Sequence, residues 1–115
     1  MPRLRNAKAK AAGAGSAAIF AALGDETRLG LVSRLCDEGP LSIARLRGGF
    51  RISRQAITKH LRVMEQAGLV RSTQLGRESI WQLEQRRLAQ ARAYLQQISS
   101  EWDRALARLK GFVER

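Results

Sequence analysis

The chain has 115 residues, with 21 Lys and Arg against 10 Asp and Glu and a formal net charge of +11. This length suits one domain, and the excess charge favours a polyanionic partner, either nucleic acid or an anionic membrane surface. No apolar run approaches the roughly 18 residues needed to cross a bilayer, and the single cysteine excludes an intramolecular disulfide. We therefore expect a cytoplasmic protein that does not span a membrane, and the helix described below makes nucleic acid, not a membrane, the expected partner.

The first half of the chain is predicted to contain a tail and three short helices. Residues 1–15 are mostly Ala, Gly, Lys and Arg, which predicts a basic flexible tail. A helix from Ser16 to Leu23 follows, and Ser42 is placed to cap a short third helix that Gly48-Gly49 ends. Between them Asp25 caps a second helix, whose core-facing side chains are predicted to be Leu29, Val32, Leu35 and Cys36.

The segment from residue 51 to 70 has the pattern of a helix that enters a DNA groove. Ser53 is a good N-cap, and Gly68 can adopt the left-handed conformation that ends a helix. The apolar side chains at helical spacing are Ile57, Leu61 and Met64. The opposite arc, about 140° wide, carries hydrogen-bonding side chains: Arg54, Gln55, Thr58, Lys59 and Arg62. An amphipathic helix with donors on its outer face and few acids fits a major groove.

The period then changes to that of a β-hairpin. The runs 69–75 and 78–83 are rich in Val, Ile, Thr and Trp, and Gly76 between them supplies the positive φ that a tight turn needs. A hairpin directly after a recognition helix is a wing. Arg71 and Arg77 are candidates for contact with backbone phosphates. The alternative for Arg77 is an exposed charge with no ligand.

The last third, residues 84–115, is predicted to be helical with a dimerisation function. Apolar residues recur at steps of three and four over about three heptads, the pattern of a coiled-coil seam. This C-terminal seam consists of Leu88, Ala91, Leu95, Ile98, Trp102, Ala105, Leu109 and Phe112. Ser99-Ser100 is a candidate kink or break in the helix.

In this order, the elements resemble the ArsR/SmtB family of winged helix-turn-helix bacterial repressors. The matching stretches are IFAALGDETRLGLVSRL (19–35), SRQAITKHLRVMEQAGLV (53–70) and GRESIWQL (76–83). The C-terminal stretch ISSEWDRALARLKGFVE (98–114) is similar to the metal-independent branch of that family. The resemblance implies a mostly α fold with a β-hairpin wing and a homodimer built through the first and last helices. It also implies a repressor, often of its own operon, that binds an imperfect palindrome in double-stranded DNA.

The pattern and the resemblance together give three sets of site residues. The side chains expected to contact bases are Arg54, Gln55, Thr58 and Lys59. Those expected at phosphates are Ser53, Arg62, Arg71 and Arg77. Those expected at the dimer interface are Ile19, Phe20, Leu95, Ile98, Trp102, Leu106 and Leu109.

Departures from the family pattern argue against a metal sensor. Metal-sensing relatives carry a cysteine pair before the recognition helix, whereas LSIARLR (41–47) has no cysteine, histidine or acid. A second family pattern uses Asp and His on the last helix, and residues 84–115 contain no histidine. Because transition metals need such ligands, we expect no metal and no cofactor.

An enzyme is not expected, because one histidine, no Gly-rich phosphate loop and no convergent acidic pair leave no catalytic constellation. The sequence favours a DNA-binding domain over residues 16–83 that acts as a sequence-specific transcriptional regulator. Two alternatives stay open: a non-specific, nucleoid-type DNA-binding protein, and a redox-responsive regulator acting through Cys36. Against the second, Cys36 is predicted to be a buried core residue. His60 is predicted to form a hydrogen bond at the edge of the core.

Overall fold

The computed structural model describes residues 15–114, which form five helices and three strands. Helix α1 covers residues 15–23 of this part of the chain. The other helices are α2 (Glu26–Glu38), α3 (Ile43–Arg47), α4 (Arg54–Gln66) and α5 (Gln85–Val113). The strands are β1 (Leu41–Ser42), β2 (Val70–Leu75) and β3 (Glu78–Leu83). The predicted tail lies outside the described residues except for Gly15, which begins the described part of α1.

Side-chain caps fix where three of the helices begin. Asp25, Ser42 and Ser53 each accept a hydrogen bond from the backbone amide three residues later, at 3.0, 3.3 and 3.1 Å. Each cap satisfies an amide that has no partner within its own helix. Gly68, just past the end of α4, has a φ of 78°. The predicted starts of α2, α3 and α4 and the left-handed glycine are confirmed.

The hairpin is confirmed, and it belongs to a three-stranded antiparallel sheet in the order β1-β3-β2. β2 and β3 pair from Val70↔Leu83 to Leu75↔Glu78, with Gly76 at a φ of 63° in the turn. Leu41 of β1 pairs with Trp81 of β3. This pairing joins β1, which directly precedes α3, to strand β3 of the wing. The sequence prediction missed β1, because two residues are too few to show a period.

The core lies where α1, α2, α3 and α4 meet the sheet. Its fully buried members include Ile57, Leu61 and Met64 of α4, as predicted, and Trp81 of β3. The other core side chains are Ile19, Ala22, Leu31, Leu35, Leu41, Leu46, Leu69, Val70 and Ala91. Burying one face of α4 in this way fixes which of its side chains face solvent.

Two expectations about α2 and one about α5 are wrong. Leu29 is half exposed and Cys36 is exposed, because α2 turns Leu31 and Leu35 into the core. Leucine or valine occupies positions 29, 31, 32 and 35, so more than one face of α2 is apolar and the sequence alone does not decide which face is buried. The third error is the break at Ser99-Ser100, since α5 runs as one helix of 29 residues. No helix within residues 15–114 has the length and hydropathy that a membrane span requires.

Candidate nucleic-acid interface

Helix α4 presents the predicted polar arc to solvent. Arg54, Gln55 and Lys59 are exposed, and no hydrogen bond or ion pair engages their side chains within residues 15–114. The opposite face is held in the core by the three buried side chains of α4. Three donor-bearing side chains, two of them cationic, therefore lie free on the first two turns of the helix.

The fourth predicted base contact, Thr58, is in a different situation. It is half-buried, and its hydroxyl donates to the backbone carbonyl of Arg54 at 2.9 Å. A hydroxyl engaged in this way has its proton committed to the helix. Its oxygen lone pairs and methyl group are what Thr58 can offer to a base.

Two of the predicted phosphate contacts on α4 also have roles within the fold. Ser53 accepts the capping bond of α4, which leaves its hydroxyl proton available as a donor. Arg62 forms an ion pair with Glu65 at 2.8 Å, and its guanidinium lies 5.4 Å from the ring centre of Trp81. Because Glu65 already pairs with it, Arg62 is a weaker phosphate candidate than its charge suggests.

The two arginines of the wing differ in whether an acidic side chain already pairs with them. Arg71 pairs with Glu84 at 2.9 Å. When the side-chain amide of Gln82 is oriented with its oxygen toward Arg71, that oxygen accepts hydrogen bonds from the same guanidinium. Arg77 lies in the turn at the tip of the hairpin, exposed and outside every ion pair of residues 15–114. Of the two, Arg77 has the charge that is free for a phosphate.

Two arginines of α2, which sequence reasoning did not single out, hold the helix-turn-helix together. Arg34 donates to the carbonyl of Leu46 at 3.0 Å and to that of Gly48, where α3 ends. It also donates to the carboxylate of Glu38, and this bond lowers the pKa of that carboxyl. No sequence period marks Arg34, because its partners are backbone carbonyls far along the chain.

Arg28 occupies the other end of α2 and reaches α4. Its Nε donates to the carbonyl of Ala22 and its Nη1 lies 3.2 Å from Nδ1 of His60. The side chain of Asp25 lies 3.8 Å from the same nitrogen of His60. The hydrogen bond that Asp25 accepts from the amide of Arg28 is the main cause of its lowered pKa. His60 thus sits hydrogen-bonded at the edge of the core, as predicted.

The residues predicted to form the dimer interface fall into two groups. Ile19 is fully buried within the chain itself, so its side chain offers no surface to a partner and the prediction for it is wrong. Phe20 is half-buried against Tyr94 of α5, with ring centroids 6.1 Å apart. The α5 members are all exposed by 41% or more: Leu95, Ile98, Trp102, Leu106 and Leu109.

Metal binding and cysteine oxidation are two other functions to compare with DNA binding. Within residues 15–114 no three His, Cys, Asp or Glu side chains come close enough to hold a metal ion. Cys36 is exposed, and as the only cysteine of the chain it has no intramolecular partner for a disulfide. A redox role for Cys36 stays a prediction and would need a second molecule.

Comparison with known proteins agrees with this geometry. A family model described as a helix-turn-helix domain matches residues 23–73. The chain is 38% identical over 85 residues to the HTH-type transcriptional regulator Rv2034 of Mycobacterium tuberculosis, covering 74% of this chain and 76% of that protein. It is 42% identical over 66 residues to YuzN, an uncharacterized HTH-type transcriptional regulator of Bacillus subtilis, covering 52% of this chain and 72% of that protein.

A solved structure extends the match over most of the fold. The ArsR-like transcriptional regulator from Rhodococcus sp. RHA1 superposes with a TM-score of 0.72 at 38% identity, covering 86% of this chain and 92% of that one. These similar proteins are transcriptional regulators rather than enzymes. The chain belongs to the ArsR-like family of winged helix-turn-helix, DNA-binding transcriptional regulators.

Proposed function

We propose that this regulator is a homodimeric repressor that reads a palindromic operator through the exposed face of α4. The observation that carries the proposal is the set of unengaged donors on that face, Arg54, Gln55 and Lys59, opposite a fully buried apolar face. An intramolecular role for these side chains would need partners, and residues 15–114 provide none.

The chemistry of these side chains suits the edges of base pairs. Arginine can donate two hydrogen bonds to O6 and N7 of guanine, and glutamine can pair with N6 and N7 of adenine. Arg54 and Gln55 are the first two residues of α4, and it is the N-terminal part of a recognition helix that contacts bases. Lys59 lies one turn further along, where it serves either a base or a phosphate.

The exposed apolar face of α5 supports the homodimer. Seven large apolar side chains of α5 are exposed, and Trp102 is 64% exposed. The radius of gyration is 18.5 Å, whereas a compact domain of this length has about 13 Å. The far half of α5 thus extends away from the core with an apolar face, which a second copy of the same helix would bury.

A two-fold symmetric dimer would present two copies of α4 to DNA. Such dimers read half-sites about 34–36 Å apart, one helical turn of DNA, so the operator mirrors the symmetry of the protein. The assignment as a repressor rests on the family resemblance. A non-specific binder, which the net charge of +11 also allows, would show no such half-sites.

Selection of bound duplexes from a random DNA pool tests this proposal. We expect enrichment of an inverted repeat with half-site centres one helical turn apart, and a dimer in sedimentation of the protein alone. Placing the selected site across a promoter should then lower transcription of a reporter. No enriched sequence would refute sequence-specific reading, a monomer would refute the homodimer, and a rise in transcription would refute the repressor.

A further inference from the structure

Arg28 joins three parts of the fold through its guanidinium and its backbone amide. Its Nε donates to the carbonyl of Ala22 in α1, and its Nη1 lies 3.2 Å from Nδ1 of His60 in α4. The backbone amide of Arg28 meanwhile donates to the side chain of Asp25, the N-cap of α2. The end of α1, the start of α2 and the middle of α4 are thereby fastened to the same residue.

The contact with His60 has a defined chemistry. A guanidinium has only donors, so in a hydrogen bond at this contact Nδ1 of His60 is the acceptor. The carboxylate of Asp25, at 3.8 Å from Nδ1, is beyond hydrogen-bond distance. Among residues 15–114, Arg28 is therefore the hydrogen-bond donor that holds the imidazole of His60.

The position of His60 makes this contact relevant to DNA reading. It follows Lys59 directly and lies one turn after Ala56, on the flank between the buried and the exposed face of α4. The buried apolar side chains of α4 set which face of the helix looks inward. A directional bond on the flank further narrows the rotation about the helix axis, because it is satisfied over a narrow range of angles.

We propose that Arg28 is a positioning residue for DNA recognition, which through His60 sets the rotation of α4 and thereby aims Arg54 and Gln55 at the bases. The inference rests on the proposed function, since it concerns how the same face is oriented. The competing interpretation is that His60 itself meets a DNA phosphate and that Arg28 merely stabilises the fold.

A double-mutant cycle on the intact dimer separates the two interpretations. The proteins are the parent, Arg28→Met, His60→Leu and the double variant, each titrated with the selected operator and with a scrambled duplex of equal length. If Arg28 acts through His60, His60→Leu weakens operator binding about tenfold in the parent but less than twofold in the Arg28→Met background. Binding to the scrambled duplex should change by the same small factor upon His60→Leu in both backgrounds.

His60→Asn is the matched control, because its side-chain oxygen can take the place of Nδ1 as acceptor for Arg28. It should keep operator affinity within about twofold of the parent. Thermal unfolding and sedimentation of every variant check the fold and the dimer. If Arg28→Met does not fold, the comparison of His60→Leu with His60→Asn carries the test.

Three results would overturn the inference. An equal loss upon His60→Leu in both backgrounds would show that His60 acts on DNA independently of Arg28. Operator affinities that are alike in all variants would show that the contact does not affect reading, and equal losses in His60→Leu and His60→Asn would show that the acceptor is not what matters. A parent protein that does not distinguish operator from scrambled duplex would instead refute the proposed function, and this inference with it.

Discussion

Replacing Arg77 with alanine should weaken the contact of the wing with DNA without affecting base discrimination. The side chain lies in the exposed turn at the tip of the hairpin, and no acid pairs with it within residues 15–114. A free cation at such a tip can neutralise a phosphate and release the counterion condensed there. Arg71→Ala on the same hairpin is the matched control, because Arg71 already pairs with Glu84 at 2.9 Å.

The magnitude follows from counting contacts. The proposed dimer has two wings, so Arg77→Ala should remove two phosphate contacts, and each contributes about −0.9 to the slope of log affinity against log salt concentration. The slope should therefore flatten by about 1.8. When the salt concentration rises fourfold, from 50 to 200 mM, the affinity of the parent should fall by a factor about twelve times larger than the factor for Arg77→Ala. Arg71→Ala should flatten the slope by less than half as much.

Fluorescence anisotropy with labelled duplexes at five or six salt concentrations measures these slopes. The effect of Arg77→Ala should be the same on the selected operator and on a scrambled duplex, because phosphates are present in both. An unchanged slope would refute contact between the wing tip and DNA. Equal flattening by the two substitutions would refute the argument that Glu84 occupies Arg71.

Three further predictions concern assembly and stability. Leu109→Asp should give a monomer in sedimentation because it places a charge on the exposed apolar face of α5. Leu75→Asp on the wing is the control and should leave the proposed dimer intact. If both variants are dimers, the assigned interface is refuted. Gly68→Ala should lower the free energy of unfolding by about 1–2 kcal/mol, since its φ is 78° and a Cβ would lie 2.9 Å from an α5 arginine; an unchanged denaturation midpoint would contradict this. Asp25 has a pKa lowered below its ordinary value of 3.8, so it stabilises the fold above that pH and this contribution disappears as pH falls through the lowered pKa. Asp25→Asn, which keeps a capping side chain, should therefore lose less thermal stability between pH 6 and pH 3 than the parent, and an equal loss would be contrary evidence.

The parts of the fold that local chemistry decides could be predicted from the sequence. Ser53 caps α4, Gly76 takes the positive φ of the hairpin turn, and Ile57 faces the core, because each depends on a few neighbouring residues. The polar arc of α4 could be predicted for the same reason, since helical period alone assigns residues to faces.

The sequence-based predictions that failed concern residues whose contacts lie far away in the chain. The apolar pattern predicts Leu29 and Cys36 in the core, but α2 has apolar side chains on more than one face, and only its packing decides which face is buried. The sequence of the hairpin predicts a free cation at Arg71, but the fold places Glu84 beside it. Arg28 has no sequence pattern at all, because its partners are a carbonyl of α1 and a histidine 32 residues later.

The affinity preference of Gln55→Ala for the selected operator over a scrambled duplex tests the central claim most directly, because glutamine is uncharged and its loss leaves phosphate binding unchanged. Gln66→Ala is the control, since Gln66 is exposed near the same face of α4 but about 16 Å further along the helix. Each dimer would lose two base contacts worth about 1–3 kcal/mol each, so Gln55→Ala should lower the preference about thirtyfold or more, while Gln66→Ala leaves it unchanged. If Gln55→Ala keeps the full preference, or Gln66→Ala loses as much, then the N-terminal turns of α4 are not what reads the operator.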